Sequence, residues 1–270
     1  MYTTHNNEIE ATNNEVEVEV LSPAVLSPLY WFNTVNRSGF KAVNPADGTN
    51  PSGGGVPTNL STSGLVFFCS GGAAGIANVP VYKKSLNTYF QHISGSGKTS
   101  GAHGTGSLFQ LGSNGICRNI RYALACFVCD FVTITAGAHL IYVNQNISGY
   151  RFSVTHDVAG TITFSAVLLD GGTVYSITAP VPKLGIFAVI MAEVNFITGV
   201  MTLTVNDITY ITAVPVGTTS NTTNASLSYR TGGVYSNFSS REKHFSFYQN
   251  NTGFSDEQKY LLKNDLKTLI

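Results

Sequence analysis

From Ile120 onward the chain repeats one pattern, short runs with a two-residue period broken by turn residues, and no other feature so narrows the folds open to it. Thr161-Ile-Thr-Phe-Ser-Ala-Val-Leu-Leu169 and Thr173-Val-Tyr-Ser-Ile-Thr178 flank Asp170-Gly171-Gly172. Alternation on both sides of a glycine-rich turn predicts a β-hairpin. Ile186 to Val194 is apolar on both faces, as a strand in the middle of a sheet must be. Thr198-Gly199 turns the chain into Val200–Asn206, where Met201, Leu203 and Val205 share one face and Thr202, Thr204 and Asn206 the other. Asn206-Asp207 turns it again into Ile208–Val214. Several short strands at this spacing predict an all-β sandwich or barrel.

The last residues change period. Ser255 stands as an N-cap, Gln258 three positions later completes a capping box, and Asp256 and Glu257 suit the positive end of a helix dipole. Leu262, Leu266 and Leu269 form an apolar stripe, so the helix is expected to dock on the β framework. Before Ile120 the reading is coarser. Tyr30-Trp31-Phe32 and Leu65–Cys69 read as apolar strands, and Asn44 to Ser63 reads as loop, with three prolines and Gly53-Gly54-Gly55.

Residues 1–19 read as a separate acidic arm, with residues 20–270 forming the sandwich. The arm holds five of the eight glutamates. Glu15-Val16-Glu17-Val18-Glu19-Val20 alternates strictly, which places three carboxylates on one face of a strand and three valines on the other. This pattern suits a charge-protected edge strand, or a strand that pairs with a neighbouring subunit.

Four cysteines are present: Cys69, Cys117, Cys126 and Cys129. Cys126 and Cys129 have the spacing of a metal or redox pair but lie in an apolar strand-like run. Residues three apart on a strand point to opposite faces, so two buried free thiols are expected and no metal site. Gly97-Lys98-Thr99 imitates the end of a phosphate-binding loop, yet the glycine that loop needs five residues before Gly97 is replaced by His92.

Charged residues make up 11% of the chain, against roughly 25% in an average soluble protein, and the 15 basic and 15 acidic side chains cancel. That balance gives no basis for nucleic-acid binding. No run approaches the roughly 20 apolar residues of a membrane span. Met1 to Asn14 lacks the apolar segment of a signal peptide. Folding in a reducing compartment is therefore expected. The Asn-x-Ser/Thr sequences, such as those at Asn146 and Asn237, then follow from composition alone.

Two motifs in order resemble a known family. Ile186–Asn195, then Thr198-Gly199, then Leu203-Thr-Val-Asn206 is similar to the strand, hairpin and x-L-x-V-N-G strand of concanavalin A-like lectin and laminin-G-like domains. Phe254-Ser-Asp-Glu-Gln258 with Tyr260, Leu262 and Leu266 is similar to their late S-D-E-Q helix. The match departs at Asp207, where the family prefers glycine, and at Ile186-Phe187, where it prefers tryptophan. It is clearest over residues 120–270. The resemblance implies a concanavalin A-like jelly-roll β-sandwich with an N-terminal arm and a short C-terminal helix, of the kind found in lectins, glucanases and phage or virus structural and tail-fibre proteins.

Glucanases of this fold carry paired carboxylates on one strand, in an E-x-D-x-E run. The only comparable run here is Glu15, Glu17 and Glu19 in the arm, so no catalytic residue, cofactor or metal is expected. His156-Asp157 lacks an activated serine nearby and reads as a loop pair. What remains is surface chemistry. Asn144, Asn146, Tyr150 and Arg151 form one loop-like cluster of amide, aromatic and guanidinium groups suited to a sugar, and Tyr229, Arg230 and Tyr235 form another. The expectation is a non-enzymatic virion structural or attachment protein: a capsid decoration, fibre or spike component. It would fold in host cytoplasm before assembly, with other copies of itself and other virion proteins as partners and a host-surface glycan as a further ligand. The alternative is a secreted carbohydrate-binding module or glycan-active enzyme of the same fold.

Overall fold

The computed structural model describes residues 20–34, 40–42, 55–57, 59–64, 67–69, 81–83, 89–92, 108–111, 121–131, 138–145, 149–156, 160–167, 173–217, 226–230 and 240–270. The period-two runs become strands. In chain order these are β1 (Tyr30–Asn33), β2 (Phe40–Ala42), β3 (Gly55–Pro57), β4 (Phe67–Cys69), β5 (Val81–Lys83), β6 (Tyr89–His92), β7 (Leu108–Leu111), β8 (Tyr122–Phe131) and β9 (Ala138–Gln145). They continue as β10 (Gly149–His156), β11 (Thr161–Val167), β12 (Val174–Pro180), β13 (Ala188–Asn195), β14 (Val200–Val205), β15 (Ile208–Ala213), β16 (Ser226–Arg230) and β17 (Ser240–Asn250). The helix α1 spans Asp256–Lys267.

Two sheets hold most of these strands. The first runs β15-β14-β13-β8-β17-β6-β5, and the second runs β12-β11-β10-β9-β16-β7-β4. The far side of β17 is shared: β6 pairs with Ser240–Glu242 and β1 with His244–Phe247. β2 and β3 form a separate ribbon, so part of the stretch read as loop is strand. Every described pairing is antiparallel. This is the all-β sandwich with a C-terminal helix that the sequence pattern predicts.

Alternation sends one set of side chains from each sheet into the space between them. Ala125, Phe127 and Phe131 of β8, Ile190 and Val194 of β13, and Phe245 and Phe247 of β17 meet Val154, Ile162, Phe164 and Ile177 of the second sheet. The opposite face of the first sheet is apolar as well. Leu124, Val128, Val189, Met191 and Tyr248 pack under Leu262 and Leu266 of the helix and Leu269 just past its end. All ten residues of β8 are consequently buried. Cys126 lies in the layer under the helix and Cys129 in the layer between the sheets. Both are free thiols, and burial pushes each far above the ordinary thiol range.

Local chemistry sets the helix in place. The backbone N–H of Gln258 donates to Ser255 Oγ at 3.1 Å, and the N–H of Ser255 donates to Gln258 Oε1 at 2.9 Å, which completes the capping box. Gly253 has φ +80, and a Cβ there would stand 3.0 Å from Asn195 Nδ2 and 3.3 Å from the Tyr122 ring. This close passage seats Phe254 edge-on against Tyr122 and Tyr248, with ring centroids 5.2 and 5.3 Å away. The ring contacts hold the start of the helix over β8 and β17.

In urea denaturation, Ser255→Ala is expected to cost about 1 kcal/mol, the worth of an N-cap. Leu266→Ala is expected to cost roughly 2–5 kcal/mol, because it opens a cavity under the helix. Equal and negligible losses would mean that the helix does not carry the layer beneath it.

Candidate functional site

The helix covers β8 and β13 but leaves β14 and β15 open, and a groove results. Two tight turns fix the strands beside it. In the β13–β14 turn, Asn195 Oδ1 accepts from the N–H groups of Ile197 and Thr198 at 3.0 and 3.1 Å. Gly199 follows with φ +74, at a point where a Cβ would stand 2.9 Å from the Val214 carbonyl oxygen. In the β14–β15 turn, Asn206 takes φ 53, a left-handed conformation asparagine tolerates. It also pins the start of β13: its N–H donates to the Val189 carbonyl at 2.8 Å and its Oδ1 accepts from the Val189 N–H at 3.0 Å.

Register then aligns side chains across the floor. Leu124, Glu193, Thr202 and Ile211 form one row from β8 to β15. Cys126, Met191, Thr204 and Thr209 form the next. The helix supplies the wall with Asp256, Lys259, Tyr260 and Lys263. The volume enclosed is about 250 Å³.

Glu193 is only 5% exposed, and such a carboxylate needs a counter-charge. Lys259 Nζ donates to its two oxygens at 3.1 and 3.0 Å, and Thr202 Oγ1 donates to Oε2 at 3.1 Å. Lys259 also meets Asp256 at 3.0 Å. Burial alone would lower the Lys259 pKa, but Glu193 and Asp256 together outweigh it and hold the ammonium above the ordinary lysine value. Burial, with the charge of Glu193 adding to it, keeps the Tyr122 phenol protonated. Thr204 and Thr209 share a hydroxyl hydrogen bond of 2.9 Å across β14 and β15. At the other end of the wall Asp207 pairs with Lys267, and with Lys263 at 3.7 Å. The Lys267 hydrogen bond, foremost, keeps the Asp207 carboxyl below its usual range.

Charges along the groove thus cancel in place, and its neutral polar surface is threonine hydroxyl. Tyr260 stands at the rim, 58% exposed, with Lys263 Nζ 5.9 Å from its ring centroid. The arrangement offers an aromatic face beside a row of hydroxyls. Glu193 and Asp256 are both tied to one ammonium, an arrangement for holding shape rather than for moving a proton. Among the described residues no group of three or more His, Cys, Asp or Glu side chains could hold a metal ion.

The clusters singled out in the sequence fall on the other sheet. Asn144 ends β9 and Tyr150 begins β10, and the two are register partners in a hairpin, not residues of a loop. The loop expectation fails because polar residues at a hairpin end mimic loop composition while still completing the backbone ladder. Arg151 is the extra residue of a bulge, between Tyr150↔Asn144 and Phe152↔Val143. Tyr229 and Arg230 also lie on a strand, β16, where Tyr229 pairs with Phe109 and Ile141, and Arg230 with Leu108. Asn144 and Ile141 are three residues apart on β9, roughly 10 Å at the rise of a strand, so the Asn144–Tyr150 pair and Tyr229 occupy separate rows of one sheet. Asn146, Tyr235, Asp157 and the arm residues Glu15, Val16, Glu17, Val18 and Glu19 lie outside the described residues. Val20 is described and exposed.

Sequence reasoning missed the groove. Its usable signals were the lysines at 259, 263 and 267, one turn apart on the helix, and the outward threonines of β14.

No protein-family model matches this chain, and no curated protein matches it. Solved structures do. The binding domain of botulinum neurotoxin DC in complex with rat synaptotagmin II superposes with a TM-score of 0.58 at 14% identity, over 89% of this chain and 52% of that one. The botulinum neurotoxin serotype D ligand binding domain in complex with N-acetylneuraminic acid gives 0.57 at 10% identity, over 88% and 51%. The binding domain of Paraclostridial Mosquitocidal Protein 1 gives 0.56 at 13% identity, over 86% and 52%. At these identities the likeness is one of fold, and the chain spans about half the length of each of the three.

Replacing Lys259 with Met strands the buried Glu193 carboxylate. The expected loss is on the order of 2–3 kcal/mol, below the full cost of a buried pair because Lys259 is partly exposed. Adding Glu193→Gln should restore most of it, so a double-mutant cycle by urea denaturation reads the coupling. Because the Lys259 pKa is raised on folding, the wild-type pair contributes fully below the ordinary lysine value of about 10.4. That contribution is lost as pH rises through the raised value. A coupling near zero would mean that the pair does not shape the groove.

Proposed function

We propose that this chain is a non-catalytic, lectin-like binding module whose groove between α1 and the strands β13–β15 takes a neutral glycan. The observation that carries the reading is the exposed Tyr260 ring beside the Thr202, Thr204 and Thr209 hydroxyls, with the neighbouring charges paired off. A pyranose has an apolar face and a rim of hydroxyls. The ring accepts the first and the threonines the second. The structural neighbours add weight at the level of class: one is a ligand binding domain in complex with N-acetylneuraminic acid, and another concerns cell entry of botulinum neurotoxin type C through interaction with two ganglioside molecules. A sialic acid carboxylate would need an unspent cation. Lys259 is committed to two carboxylates here and Lys263 and Lys267 share Asp207, which favours a neutral sugar. The low-charge, Gly-, Ser-, Thr- and Asn-rich composition supports placing the module on a virion, as a structural or attachment component.

Binding to an array of neutral and sialylated glycans, followed by calorimetry on those retained, tests the reading. Neutral glycans should be retained without being cleaved. Tyr260→Ala should weaken binding about tenfold, equivalent to ~1.4 kcal/mol. Retention of sialylated glycans alone, hydrolysis of the ligand, or an unchanged affinity in Tyr260→Ala would overturn it. Loss of binding in Tyr150→Ala instead would move the site to the second sheet.

A further inference from the structure

The floor of the groove has few hydroxyl hydrogens left to give. Thr202 has one, and it goes to Glu193 Oε2 at 3.1 Å. Among the described residues, the Thr202 oxygen is left with lone pairs to offer and nothing to donate. Thr204 and Thr209 hold two hydrogens and spend one on their mutual bond of 2.9 Å. One O–H of that pair remains to donate. The floor therefore presents an acceptor at Thr202 and, one pleat further along β14, a donor at the Thr204–Thr209 pair. Alternate residues of a strand, such as Thr202 and Thr204, stand about 6.7 Å apart.

Apolar side chains flank these hydroxyls. Met191 is the register partner of Thr204 and Ile211 that of Thr202, and both line the groove. Met191 lies at the bottom, 6% exposed, and Ile211 at the open side, 70% exposed. A ligand hydroxyl turned toward them finds no partner, which costs free energy. A methyl in the same place is stabilised by leaving water.

We propose, resting on the neutral-glycan reading of this groove, that its floor recognises the acetamido group of an N-acetylhexosamine. The amide N–H donates to Thr202 Oγ1, the carbonyl oxygen accepts from the Thr204–Thr209 pair, and the methyl lies between Met191 and Ile211. A trans amide points its N–H and C=O in opposite directions. With a hydrogen bond of about 2.9 Å at each end it bridges groups roughly 7 Å apart, close to the spacing of the two threonines. The pyranose ring then stands above the amide, against Tyr260 on the wall. The volume of about 250 Å³ is below the roughly 300–1,000 Å³ of sites for drug-sized ligands, so the groove holds one such sugar unit rather than a run of them. A plain hexose offers a hydroxyl where the methyl belongs. A fucose has a methyl without an amide beside it. A hexosamine with a free amine brings an ammonium to an apolar floor.

NMR titration of the intact chain with the methyl glycosides of N-acetylglucosamine, N-acetylgalactosamine, glucose, galactose, fucose and glucosamine tests the assignment. At least one N-acetylated glycoside should bind roughly tenfold more tightly than its plain hexose counterpart and than the fucose and glucosamine glycosides. Thr202→Val keeps the branched shape and removes the acceptor. Ile211→Thr suits the exposed strand and removes an apolar flank. Each should cut the preference to about threefold or less, with β-type circular dichroism unchanged. Equal binding of acetylated and plain glycosides, tighter binding of the fucoside, or a preference that survives both substitutions would overturn the acetamido assignment and leave the neutral-glycan reading standing. Binding of none of these sugars would overturn both.

Discussion

The central strands of the first sheet are apolar on both faces, and that constraint organises the rest of the molecule. A sheet in a sandwich needs only one apolar face. β8 and β13 have two, so a second cover is required beyond the opposing sheet. The C-terminal helix supplies it. Leu262, Leu266 and Leu269 are buried on Leu124, Val128, Val189 and Met191. Burying a leucine is worth about 1.5–3 kcal/mol, so three of them offset a substantial part of the cost of ordering the helix.

The groove follows from the width of that cover. One helix is about 10 Å across and strands lie about 4.8 Å apart, so a helix seated over β8 and β13 leaves β14 and β15 bare. The outward side chains of β14 accordingly change from apolar to threonine. Glu193 marks the boundary. It is buried at the edge of the helix footprint and is paired there with Lys259 from the wall.

Much of the framework was legible in the sequence because it depends on local periods. The β11–β12 and β13–β14–β15 hairpins, the capping box at Ser255 and the divergence of Cys126 from Cys129 all follow from alternation or from contacts a few residues apart. The groove was not legible, because it joins Glu193 to Lys259 across 66 positions, and only tertiary structure brings them together. The Asn144–Arg151 segment misled for a different reason. Its polar composition resembles a loop, yet the backbone pairing of Tyr150 with Asn144 is indifferent to side-chain polarity.

Double-sided burial makes a direct statement about where the molecule opens last. Amide hydrogen exchange followed by mass spectrometry on the intact chain reads this strand by strand. The slowest amides should lie in 122–131 and 188–195, with those of α1 protected alongside them and those of β15 exchanging faster. Slowest exchange in 161–180 instead, or helix amides exchanging at the rate of an unstructured peptide, would show that the helix is not the cover on which the first sheet and its groove depend.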